Sequence, residues 1–101
     1  MLIAGATGPN AASVNGIFDP TAEMINGACV FKKRGEDFIL QYGTNKKWTV
    51  TLLGDKGKDS GWATLAAADP SKPPEQATAT WRVAINNAWD DQASVKISRA
   101  P

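Results

Sequence analysis

The sequence predicts an all-β domain, either a compact antiparallel barrel or a two-layer sandwich of roughly five to seven short strands with a central meander. Three observations carry this. Residues 28 to 53 contain three runs in which side chains alternate between an apolar and a more polar face, the period of a half-buried strand. The connectors between those runs, Lys33-Arg34-Gly35-Glu36 and Gly43-Thr44-Asn45-Lys46, are short, polar and glycine-containing, as hairpin loops require. The rest of the chain holds no long helical pattern.

Taken in order, residues 1 to 14 are rich in Ala, Gly, Asn and Ser and read as a flexible N-terminal tail; residues 15 to 101 read as a single β domain. Asn15-Gly16 opens the folded part, Ile17-Phe18 follows, and Asp19-Pro20 stops it. Thr21 to Ile25 forms either a short helical turn capped by Thr21 or an irregular arm that packs Met24 or Ile25 onto the sheet. Asn26-Gly27 is a turn leading into the meander. Phe31, Phe38, Leu40, Tyr42, Trp48, Val50 and Leu52 are its expected inward residues. The loop from Gly54 to Gly61 is expected to be solvated and mobile. Gly61 to Ala66 reads as a further strand, and the proline-rich 69–75 as a connector. Thr80 to Ile85 alternates again, with Trp81, Val83 and Ile85 inward. Asn86-Asn87-Ala88 turns the chain with Trp89 on that turn, and Ser94 to Ser98, including inward Val95 and Ile97, closes the domain with Lys96 and Arg99 guarding an edge.

Composition narrows the chemistry. With 101 residues and a formal net charge of +1, the chain is expected to bind neither nucleic acid nor a membrane surface. It has no apolar run of membrane-spanning length and no signal-peptide pattern. Cys29 is the single cysteine, which favours a reducing, cytoplasmic setting. Histidine is absent, which removes Ser-His-Asp and Cys-His catalysis and zinc sites of the usual composition. Asp55 and Asp59 are spaced like alternating calcium ligands. Gly57 stands at the middle ligand position, Ala66 where a bidentate Glu belongs, and Lys56 and Lys58 repel a cation, so no metal is expected. The neighbours in Glu36-Asp37 and Asp90-Asp91 point to opposite faces of a strand and cannot share a proton. Lys32, Lys33, Arg34, Lys56 and Lys58 fall at one sheet end with acids among them, which reads as mixed-charge solvated loops.

The landmarks Asn15-Gly16-Ile17-Phe18, Asn26-Gly27, Val30-Phe31-Lys32-Lys33, Leu40-Gln41-Tyr42, Trp48-Thr49-Val50, Gly61-Trp62-Ala63, Trp81-Arg82-Val83 and Trp89 together resemble a small all-β module found, often in tandem, in large multidomain proteins of protists and algae. The resemblance implies a binding or spacer unit, with no catalytic set to carry over.

The expected function is therefore a non-enzymatic β module for protein–protein interaction or domain spacing, without cofactor, monomeric or part of a longer chain. The alternative is a small carbohydrate-binding module. Ligand-binding candidates are Trp89, with Trp62, Lys56 and Lys58. Trp89 stands among Asn86, Asp90 and Asp91; it either offers an aromatic platform for a protein or glycan or folds back as a lid over the sheet end. One sheet end is expected to gather 33–36, 55–60 and 86–92, and to be the binding end; the other gathers 43–46 and the proline-rich connector.

Overall fold

The alternation between residues 28 and 53 folds, in the computed structural model, as the middle of one continuous antiparallel sheet. Residues 1–58, 60–86 and 88–98 are described; Asp59, Asn87 and Arg99, expected in a loop, in a turn and beside an edge, lie outside them. Among the described residues the strands are β1 (Leu2–Ala4), β2 (Gly16–Ile25), β3 (Ala28–Lys33), β4 (Phe38–Tyr42), β5 (Lys47–Leu52), β6 (Ala63–Ala66), β7 (Trp81–Ile85), β8 (Ala88–Gln92) and β9 (Lys96–Ser98). One helical turn, α1 (Ala11–Val14), separates β1 from β2. The sheet order is β8-β7-β6-β5-β4-β3-β2-β1-β9, curled into a half-barrel rather than split into two layers. No helix among the described residues is long and apolar enough to cross a membrane.

Nine strands exceed the five to seven expected, and the reasons are local. Asp19-Pro20 does not stop the chain. Pro20 lies opposite Phe31 and the register slips between Pro20 and Met24, a bulge that tolerates a residue with no N–H to donate. The following arm is tied down when the Thr21 hydroxyl donates to the Val30 carbonyl at 2.7 Å. Asn26 and Gly27, at φ 53° and 83°, then form the two-residue turn with both φ positive that matches strand twist.

Residues 1–14, expected as a tail, are part of the fold. β1 pairs with both β2 and β9, and Ile3 and Val14 are fully buried. What replaces apolar surface here is side-chain amide. Asn15 accepts from the Ala6 N–H at 3.0 Å and donates to the Ala6 carbonyl at 3.1 Å. Gln92 does the same to Thr7, at 2.9 and 3.1 Å. Each amide takes both hydrogen bonds that a neighbouring strand would otherwise supply.

These contacts close the half-barrel. β8 and β9 are consecutive in the chain yet lie at opposite ends of the sheet order. Across 93–95 the chain leaves β7 and joins β1, so the two sheet edges meet at a seam. Gln92 bridges it to Thr7, and the Ser94 hydroxyl bridges it to the Gly5 carbonyl at 2.8 Å.

The inner face carries the core. Leu40 sits opposite Val50, Tyr42 opposite Trp48, Trp48 opposite Leu65, and Ala63 opposite Val83, and all are buried. Phe31, Phe38, Ile85 and Ile97 are half-buried, and Leu52, at the strand end, is exposed. The outer face is also covered in part. Gln41, Ile39, Thr49 and Thr51 are buried there. The Gly57 N–H donates to Gln41 Oε1 at 2.8 Å, and Gln41 Nε2 donates to the Lys58 carbonyl at 2.7 Å. The loop expected to be mobile is thus strapped across β4.

Tyr42 couples this sheet to the connector. It is buried, and its hydroxyl donates to the Ala67 carbonyl. Burial, followed by the negative charge of Asp69, pushes the phenol above its ordinary value near 10. A raised folded-state value means that the stabilisation is fully present below pH about 10 and is lost as pH rises through the raised value. Alkaline titration followed by circular dichroism should show wild type losing stability above that pH relative to Tyr42→Phe. Parallel curves would contradict the buried phenol.

Candidate functional site

Trp89 lies within β8 rather than on the preceding turn, and is 48% exposed. It pairs with Ala84, so its side chain stands on the outer face. On that same face the register aligns Thr49, Thr64, Arg82 and Asp91 across four strands. Arg82 Nε donates to Asp91 Oδ1 at 2.9 Å. A shallow depression of about 140 Å³ continues from Arg82 past Thr80 and Thr64 to Lys47. The result is an exposed indole on an edge strand beside a row of hydrogen-bonding side chains.

The other predicted residues do not gather around it. Lys56 Nζ is held by both carboxylate oxygens of Glu23, at 2.8 and 2.7 Å. Lys58 Nζ lies 3.4 Å from Asp55 Oδ1. Both belong to the loop anchored on Gln41 of β4, four strands from β8, or about 19 Å along the sheet at strand spacing. Trp62 is half-buried and turns toward the core, packing edge-on against Phe38 with ring centroids 5.3 Å apart. Its carbonyl accepts from the Ala84 N–H at 2.7 Å, so its backbone neighbours β7.

β3, β5 and β7 do finish at the same sheet end, as strand alternation requires. The cations there are engaged. Arg34 clasps Asp19 in two parallel bonds of 2.8 and 3.0 Å, and the guanidinium holds that carboxyl below its usual range. Lys32 donates to the Glu36 carbonyl at 3.0 Å. Lys33 is buried: its ammonium reaches the Ala12 carbonyl, lies 3.7 Å from Glu36 and sits over the Phe38 ring. Strand alternation alone signals this inward lysine, since it shares the face of Phe31. The cations are thus distributed among internal partners rather than presented as a basic patch.

Among the described residues no group of three or more His, Cys, Asp or Glu side chains is placed to hold a metal ion. The larger concave features lie at the opposite sheet end, around the connector 66–79, where sequence reasoning placed no site. No family model, curated protein or solved structure matches the chain.

Proposed function

We propose that this chain is a non-enzymatic binding module that engages a protein partner through Trp89 and works as an interaction or spacing unit of a longer polypeptide. The observation that supports it is a half-exposed tryptophan fixed on a regular strand. An indole held by a ladder loses little freedom on docking, and tryptophan and arginine dominate the energetics of small interfaces. Arg82 and Asp91 supply the polar rim. The free thiol of Cys29 fits a reducing compartment such as the cytoplasm.

The test compares immobilised wild type with Trp89→Ala, which should fold normally because half of the indole is in solvent. A protein retained from cell extract by wild type and lost from the variant supports the reading; equal retention by both sinks it. The row Thr64, Arg82 and Asp91 beside the ring favours a second reading, a glycan stacked on the indole and hydrogen-bonded by that row. An oligosaccharide panel that moves the Trp89 indole resonance would favour it over a protein partner.

A further inference from the structure

We propose that the free edge of β8 receives an extended segment of the partner as an added strand, with a basic residue opposite Asp90. This rests on the reading of Trp89 as the docking residue and names the form of what docks. β8 ends the sheet order and pairs with β7 on one side. Which of its backbone groups are free follows from Ala84, the residue that faces Trp89. The Ala84 N–H donates to the Trp62 carbonyl at 2.7 Å, and the Ala84 carbonyl accepts from Asn10 Nδ2 at 2.7 Å. Ala84 and Trp89 are therefore a non-hydrogen-bonded pair, and the Trp89 N–H and carbonyl point away from β7. Alternation repeats this two residues on, at Asp91. Both N–H groups and both carbonyls stand in a row that no described residue takes up. Ala88, Trp89, Asp90 and Asp91 are all exposed, so the row is open to solvent.

Unpaired main-chain groups of this kind bind an added strand, and alternate side chains set its sequence preference. Asp91 is met by Arg82 at 2.9 Å. Asp90, on the inner face, accepts from the neutral Gln92 amide at 3.0 Å and lies in no ion pair among the described residues. On the free edge Asp90 belongs to a non-hydrogen-bonded position, where facing side chains come closest. A lysine or arginine opposite it meets the uncompensated carboxylate. The residue opposite Trp89 lies on the outer face, where an apolar side chain packs on the indole. The segment thus alternates apolar and basic residues. A second copy of this chain lacks that pattern. Docked antiparallel so that the whole row is used, it would set Asp90 against the copy's own Asp90, like charges face to face.

The test adds a peptide of alternating Val and Lys to the isotopically labelled chain and follows amide hydrogen exchange. The Trp89 and Asp91 amides should slow together by about tenfold at a peptide concentration of about ten times Kd. N-methylation of the valine amides, which face β8, should abolish this protection, and N-methylation of the lysine amides should leave it. Asp90→Asn, which keeps an acceptor for Gln92, should weaken binding by about fivefold. Unchanged exchange at Trp89 and Asp91, equal protection by an alternating Val and Glu peptide, or protection that rises with protein concentration without peptide would each overturn the assignment. Loss of extract retention in Trp89→Ala with no amide protection by the peptide sinks strand addition and leaves the docking role of Trp89 standing; protection with equal retention does the reverse.

Discussion

Trp48→Ala is expected to lose about 3–5 kcal/mol of unfolding free energy in denaturant titration, among the largest single-site losses in the chain. Trp48 is 1% exposed in the middle of β5. Its ring meets Phe31 and Tyr42 edge-on, and its register neighbours Tyr42 and Leu65 are themselves buried. Removing the indole leaves a void that a curved sheet, hydrogen-bonded on both sides of β5, cannot collapse to fill. Trp89→Ala provides the contrast. Its indole is half in solvent on an edge strand, and its removal should cost roughly 1 kcal/mol or less. A loss below 1 kcal/mol for Trp48→Ala would show that the inner and outer faces have been exchanged.

Gly5→Ala should be nearly as damaging, by roughly 2–4 kcal/mol, although it adds one methyl group near the chain start. Gly5 has φ +94°, a conformation strained for any L side chain, and its Cβ would stand 2.0 Å from the Ser94 carbonyl oxygen. The clash is with backbone, so no rotamer relieves it. The Gly5 carbonyl also accepts from the Ser94 hydroxyl across the seam, and pushing the strands apart removes that bond. A flexible tail would accept the same substitution without a measurable change, so thermal unfolding of Gly5→Ala separates the two descriptions of residues 1–14. Gln92→Leu should cost somewhat less, roughly 2–3 kcal/mol, by leaving both Thr7 backbone groups without their partner.

The central meander was legible because β-branched and aromatic residues at every second position leave a helix no consistent face. The turns were legible for the same local reason: Asn26-Gly27 allows few other conformations. The N-terminal segment was not. Ile3 and Val14 are its fully buried apolar anchors, and much of its further attachment is made by side-chain amides, those of Asn10, Asn15 and Gln92, the last of which lies far along the chain. An amide that satisfies a distant backbone group has the same composition as one that is solvated. The outer-face cover was hidden in the same way. Gln41 and Thr49 read as the solvent side of their strands, and they are buried because the 53–58 loop returns over β4. Leu52 errs in the opposite direction: it has the correct face, but the sheet ends beside it. The sequence leaves Trp89 open between an exposed platform and a lid folded over the sheet end, and it is half exposed; Lys56 and Lys58 share only its sheet end by loop position, and their loop folds away from it. The groove between the β2–β3 hairpin and the proline-rich connector joins segments that the sequence separates by about forty residues.

The edge that presents Trp89 is rigid only if the seam is closed, and amide hydrogen exchange at Thr7 tests this most directly. The Thr7 N–H donates to Gln92 Oε1 at 2.9 Å, and the Ala6 N–H beside it donates to Asn15 Oδ1 at 3.0 Å. Both should exchange slowly in wild type. In Gln92→Leu the Thr7 amide should lose its protection while Ala6 keeps most of its own. Exchange of Thr7 in wild type at the rate of an unstructured chain would contradict the closed half-barrel, and with it the fixed platform on which Trp89 is presented.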